Sequence, residues 1–133
     1  LLDAASVLPT AIEWSSRVSG VALVLAAILL FRAAGRVLRE GLVASPEPRT
    51  EGTLHQEGVY ASLRHPIYVA IVMGLVGWSL VWSSLEGLGL SLMCLVFFSF
   101  KTRDEERYLL RRYPGYAAYA SSVPRFVPRA WRR

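Results

Sequence analysis

Cysteine is nearly absent from this chain. Cys94 is the single thiol among 133 residues, so no intrachain disulfide can form. Its place inside an apolar run makes it an inert residue facing lipid or core. Charge is missing altogether from residues 18–31, 67–85 and 87–100, although charged residues make up 19% of the chain. That segregation excludes the evenly charged surface of a soluble globule. No internal repeat and no low-complexity tract is present. The flank before the first apolar run holds only Asp3, Glu13 and Arg17, and no clear small-residue cleavage site follows. Both absences argue against a signal peptide. The chain also lacks an initiating methionine, opening instead on Leu1-Leu2, so the expectation is that residues precede it, with room for another helix.

What is present is hydrocarbon. The chain is 53% hydrophobic, with a mean hydropathy of +0.36, and its length suits one domain. A bilayer core of about 30 Å needs ~20 helical residues. The run 67–85 reaches that length unaided. The run 18–31 reaches it by borrowing Trp14 and Ala33-Ala34, and 87–100 by borrowing Leu85 and the stem of Lys101. The reading is an all-α integral membrane protein with about three transmembrane helices. Residues 1–50 supply the first helix and an interfacial segment, and 51–133 form the remainder of a single domain.

The net charge of +5 is informative by location. Of 15 Lys and Arg, one precedes the first span, five lie in 32–66, none in 83–89, and nine follow residue 100. The positive-inside rule places 32–66 and the carboxyl tail in the cytoplasm. Anionic lipid adds to that attraction. Nucleic acid is not an expected partner, because no soluble basic groove with stacking aromatics is apparent.

Further along, 35-GRVLREGLV-43 has the pattern of a short amphipathic helix at the interface. The stretch 44–58 reads as an exposed loop with two prolines and two glycines. Pro66 opens the second helix, where its missing N–H is not needed, and biases His65 away from helical backbone. The turn 83-SSLEGLG-89 allows only an antiparallel return, so helices two and three form a hairpin. The third helix is expected to leave the membrane and end near Tyr113, before Pro114-Gly115. A short helix at 116–122 follows, then 123-VPRFVPRAW-131 as an extended segment on the membrane surface.

Two clusters carry chemical potential. Arg64-His65 at the start of helix two reads either as an interfacial anchor or as the lip of a site. The helix amino terminus there favours an anionic group, and Tyr60 and Tyr68 flank the pair. The second cluster, 101-KTRDEER-107, contains the spaced ion pairs Lys101–Glu105, Arg103–Glu106 and Asp104–Arg107, each contributing a few tenths of a kcal/mol on an exposed helix. Glu105 and Glu106 are about 100° apart, so one can face the bundle while the other pairs outward. Tyr108, Tyr113, Tyr116, Tyr119 and Trp131 read mainly as an interfacial aromatic belt. Gly74 and Gly77, or Gly20 and Ala22, offer small faces for a homodimer.

Together, 58-GVYASLRHPIY-68, the hydrophobic hairpin, 103-RDEERYLLRRYPGYAAY-119 and 123-VPRFVP-128 resemble the isoprenylcysteine carboxyl methyltransferase family, whose RHP…EE core is shared with phospholipid N-methyltransferases. The resemblance covers roughly 52–128. It implies a membrane-embedded methyltransferase that uses S-adenosylmethionine in a pocket open to the cytoplasm, in a prokaryotic inner membrane. No metal is implied. Carried over, the cofactor-binding set is Tyr60, Arg64, His65, Pro66, Tyr68, Glu105, Glu106 and Tyr119, with Gly58 in the lead-in. Arg64, His65 and Glu106 carry the catalytic expectation. Where the family commonly has glycine two residues after the RHPxY tyrosine, this chain has Ala70. Implied partners are membrane lipid and a lipophilic small-molecule or prenylated acceptor. The alternatives are an NADPH-dependent membrane reductase of the sterol-reductase type, which shares the pattern distantly, and a noncatalytic membrane scaffold.

Overall fold

The computed structural model describes residues 10–43 and 56–128, excepting the side chains of 40–43. Four helices appear in chain order: α1 (Thr10–Val43), α2 (Pro66–Val81), α3 (Leu85–Arg112) and α4 (Tyr116–Ser122), with a 3-10 turn at Gly58–Ala61 before α2. The described residues are all-α. The amino-terminal residues, most of the 44–58 loop and Trp131 lie outside them.

The first helix has 34 residues, about 51 Å at 1.5 Å each. No proline falls between Pro9 and Pro46, and Gly35 and Gly41 each cost a helix only about 1 kcal/mol. Residues 35–43 therefore continue α1 and do not form the separate interfacial helix expected from their pattern.

The span count also differs from expectation. Thr10–Arg39 and Leu85–Arg112 are long and apolar enough to cross a membrane. Helix α2 has 16 residues, about 24 Å, and falls short of that length. The reason lies in the turn. Ser83 adopts a positive φ of 50°, and Ser84 caps α3 by accepting the Gly87 N–H at 3.0 Å. Reversal thus occurs at 82–84, and Leu85 to Gly89, expected as loop, are already helical. The longest uncharged run in the sequence contains a turn that hydropathy does not register.

Helices α1 and α2 pack antiparallel along a seam of small residues. Gly20, Ala27 and Ala34 recur every seventh position, which holds them on one side of a gently supercoiled helix, and all three are buried. Gly20 meets Gly77, and Ala27 meets Gly74. A β-carbon on Gly20 would lie 2.6 Å from the Gly77 carbonyl oxygen, and one on Gly77 would lie 2.8 Å from that of Gly20. Only glycine permits this backbone contact. Ser16 then donates to the Leu80 carbonyl at 2.9 Å. Of the small residues considered above for self-association, Gly20 and Gly77 make this contact within the chain. Ala70, only 3% exposed, faces α1, so its methyl group belongs to the helix contact.

The other faces of α1 and α3 expose Leu25, Leu29, Leu92, Met93 and Phe97. Such an unpaired apolar surface suits hydrocarbon as solvent. Helix α4 buries Tyr116 and Tyr119 against Val123, with Leu109 and Tyr113 beside them. The chain then turns back across the start of α2: the Arg64 N–H donates to the Pro124 carbonyl at 3.0 Å and the His65 N–H to that of Arg125 at 3.3 Å. The segment expected to lie on the membrane surface is a strap over the Arg64-His65-Pro66 corner.

Candidate functional site

Pro66 occupies the first helical turn of α2, and His65 sits outside the helix at φ −128°, ψ 60°, as the proline demands. This projects the imidazole toward α3. There Glu106, 7% exposed, is the buried member of the acidic pair. Its Oε1 takes Arg64 Nη1 at 2.9 Å, His65 Nε2 at 3.0 Å and Arg125 Nε at 3.1 Å, and its Oε2 takes Arg125 Nη2 at 2.6 Å. A buried carboxylate requires such donors, because desolvation of an unpaired charge costs several kcal/mol. Glu106 is therefore fully engaged inside the protein.

Burial lowers the His65 pKa below its ordinary 6.5, and Arg64 acts in the same direction; the hydrogen bond to Glu106 and the charges of Glu106 and Glu105 oppose them but do not prevail. Neutral His65 donates its Nε2 proton to the Glu106 carboxylate. Nδ1 then carries a lone pair, and lies 3.9 Å from Glu105 Oε2, beyond hydrogen-bonding range. The result is an acceptor nitrogen held in a fixed orientation.

Glu105 faces the other way and is partly exposed. The Tyr68 hydroxyl donates to its Oε1 at 2.7 Å, and Lys101 Nζ approaches that same oxygen at 3.1 Å and the Tyr68 hydroxyl at 2.9 Å. The Tyr68 ring stacks between His65, 5.7 Å away, and Phe98, 4.4 Å away. One carboxylate thus builds the site and its neighbour presents oxygens at the surface, as 100° of rotation allows.

Behind this wall stand three tyrosines. The Tyr119 hydroxyl donates to the Tyr60 carbonyl at 2.6 Å, fixing the 3-10 turn against α4. Burial raises the phenols of Tyr60 and Tyr116, and pushes Tyr119 up to about 12. Tyr119 is a buried pin, away from the cluster at the mouth. The Tyr116 hydroxyl and the Arg64 guanidinium, both buried, face one another behind the corner.

The structure brings Arg64, His65, Pro66, Tyr68, Glu105 and Glu106 to one corner, with Tyr60 behind it. Of the three expected ion pairs on α3, Lys101–Glu105 forms, and Asp104–Arg107 is a loose exposed contact at 3.8 Å. Arg103–Glu106 does not form: Glu106 turns inward, and Arg103 lies over the Phe100 ring at 5.8 Å. Sequence reasoning did not place Arg125, Phe98 and Phe126 at the site, and gave Lys101 only as the exposed partner of Glu105. Arg125 could have been found by asking what neutralises a carboxylate on a buried face. The aromatic residues carried no such signal.

Beside the polar corner, α2, α3 and the strap enclose an apolar cleft of about 130 Å³. Tyr68, Val72, Met73, Leu95, Phe98 and Phe126 line it. Phe126 stands 6.2 Å from the His65 ring, so the strap closes both compartments. Among the described residues, no three His, Cys, Asp or Glu stand together in a way that could hold a metal ion.

Comparison with known proteins agrees with this architecture. A family model described as phospholipid methyltransferase matches residues 15–115, which takes in most of α1 as well as the hairpin. Two curated relatives align with shorter segments. The cobalt-zinc-cadmium resistance protein CzcN of Cupriavidus metallidurans is 34% identical over 82 residues, covering 61% of this chain and 38% of that protein. The nickel-cobalt-cadmium resistance protein NccN of Alcaligenes xylosoxydans xylosoxydans is 33% identical over 73 residues, covering 54% and 34%. The matched part of the chain thus spans well under half the length of either relative. No solved structure matches. The family match covers most of the chain, and the chain belongs to the phospholipid methyltransferase family.

Proposed function

We propose, from membership of the phospholipid methyltransferase family, that this membrane protein transfers a methyl group from S-adenosylmethionine to a lipophilic acceptor through its RHP…EE corner. The observation that carries the reading is the junction of a polar corner with an apolar cleft at Tyr68. A water-soluble donor and a lipid-soluble acceptor need such a junction, with each reached from its own phase.

The residues fit the donor. Arg64, held in place by Glu106 at 2.9 Å, puts a cation at the corner, suited to a carboxylate. Glu105, partly exposed at the mouth, suits ribose hydroxyls or an ammonium group. Tyr68 offers a ring edge beside both. S-adenosylmethionine, when bound, supplies an electrophilic methyl on a sulfonium. The protein's part is to position the two reactants and exclude water. Phe98 and Phe126 perform the exclusion, and the Glu106 network fixes the RHP corner. A carboxylate acceptor needs no base. For an amine acceptor, His65 Nδ1 is oriented to receive the proton.

Residues 51–133 form the methyltransferase core in this reading, with the donor entering from the cytoplasmic side of a prokaryotic inner membrane, as the charge distribution suggests. Acceptors of the isoprenylcysteine type and lipid amines both suit the cleft. The metal resistance named for the two relatives is compatible with methylation of a membrane component. The test is incubation of membranes holding the protein with isotopically labelled methyl donor. Label is expected in the lipid-extractable fraction, and is expected to fall at least tenfold in Glu105→Ala. Label confined to the aqueous phase, or equal in the variant, would overturn the reading.

A further inference from the structure

A second, larger apolar groove lies on the opposite side of α2, between it and α1. It is an open groove of about 330 Å³. Val24, Ile28 and Phe31 form one wall, and Ile71, Gly74 and Leu75 the other. No charged or polar side chain enters the groove until Arg32, at one end. A space so lined excludes water and takes up hydrocarbon.

The position of Arg32 gives the groove a direction. It is the first charge after the uncharged run 18–31, so it stands where α1 leaves hydrocarbon and meets the headgroup layer. Arg36 and Arg39 follow at four and seven positions, on the same face of α1. All three guanidinium groups are on exposed residues, and none forms an ion pair with a described residue. A file of three cations above a slot for an acyl chain has the shape and charge of a phospholipid's complement. Guanidinium binds phosphate through paired hydrogen bonds. Three cations exceed what one zwitterionic headgroup would neutralise, which selects lipids carrying net negative charge.

We propose that the α1–α2 groove is a binding site for one anionic phospholipid, its acyl chain between Ile28 and Ile71 and its phosphate held by Arg32 with Arg36 and Arg39. The site is separate from the proposed reaction site, which lies across α2, and does not depend on methyltransferase activity. The groove ends at Ala70, one turn beyond the RHP corner.

The experiment is native mass spectrometry of the detergent-purified protein with phosphatidylglycerol or phosphatidylcholine of identical acyl chains. One phosphatidylglycerol per chain is expected to survive detergent removal, with at least tenfold preference over phosphatidylcholine. The triple variant Arg32→Gln, Arg36→Gln, Arg39→Gln alters only exposed side chains, so it should fold and lose the preference. Gly74→Leu should fill the groove and reduce retention of either lipid; if it fails to fold, the arginine variant decides alone. Equal retention of the two lipids, a preference that persists in the triple variant, or a lipid-free dimer covering the groove would each overturn the proposal.

Discussion

Glu106 and Arg125 meet in a two-point ion pair across nineteen positions of sequence, with Nη2 to Oε2 at 2.6 Å and Nε to Oε1 at 3.1 Å. The pair ties the strap to α3, and Arg64 and His65 join the same carboxylate from the start of α2. Three separate segments thus share one buried charge. Removing any donor leaves the others under-satisfied, so their effects should not add.

Arg125→Lys is expected to behave much like Arg125→Ala. A lysine ammonium cannot reproduce the paired geometry of guanidinium. Both variants should weaken donor binding at least tenfold and increase proteolytic cleavage near residue 123. Lysine restoring full affinity in calorimetry would reduce Arg125 to a simple positive charge.

Glu106→Ala should destabilise more than Glu105→Ala. The former strands two guanidinium groups in a largely buried site, at a cost of about 3 kcal/mol. The latter removes a partly exposed carboxylate, worth about 1 kcal/mol or less in stability. Thermal unfolding of the two variants in one detergent checks the order, and the reverse order would contradict the division of roles between the neighbours.

A protonation effect at His65 should appear on the acid side. Burial lowers its pKa in the folded protein, so the unfolded chain takes up the proton first as pH falls. The contribution of neutral His65 is present above about pH 6.5 and is lost as pH falls through the lower folded value. Wild type should therefore lose stability relative to His65→Gln between pH 6.5 and 5. A gap between them that stays constant over that window would show that His65 takes up its proton equally in the folded and unfolded chain, contradicting the lowered folded value.

Much of this was legible beforehand, though not for one reason throughout. Helix α4 at 116–122 and the end of α3 near Tyr113 followed from Pro114-Gly115, since breaker chemistry is local. The opposed directions of Glu105 and Glu106 followed from helix geometry alone. The shortness of α2 did not follow: Trp82-Ser83-Ser84 is as uncharged as its surroundings, and the reversal depends on a backbone angle at Ser83 and a side-chain cap. The strap was also hidden, because backbone bonds from Arg64 and His65 to 124–125 leave no trace in residue type. Ala70 was legible only as a departure, and its meaning emerged once α1 was seen beside it.

Gly77→Ala should separate α1 from α2. Its added carbon would lie 2.8 Å from the Gly20 carbonyl and 2.9 Å from the Val24 nitrogen, and backbone cannot yield cheaply. A loss of about 1–3 kcal/mol is expected from this overpacking. Gly74→Ala, whose carbon would meet Ala27 at an ordinary 3.7 Å, should be nearly neutral. Equal melting temperatures for the two variants would mean that the seam is looser than described.

The central claim is that the RHP…EE corner binds the methyl donor. Calorimetric titration of the purified protein with S-adenosylhomocysteine tests it most directly, for wild type, His65→Ala and Glu105→Ala. The account predicts one site per chain in wild type, at least tenfold weaker binding in both variants, and no heat from NADPH. Unchanged affinity in the variants, or binding of NADPH in place of S-adenosylhomocysteine, would contradict it.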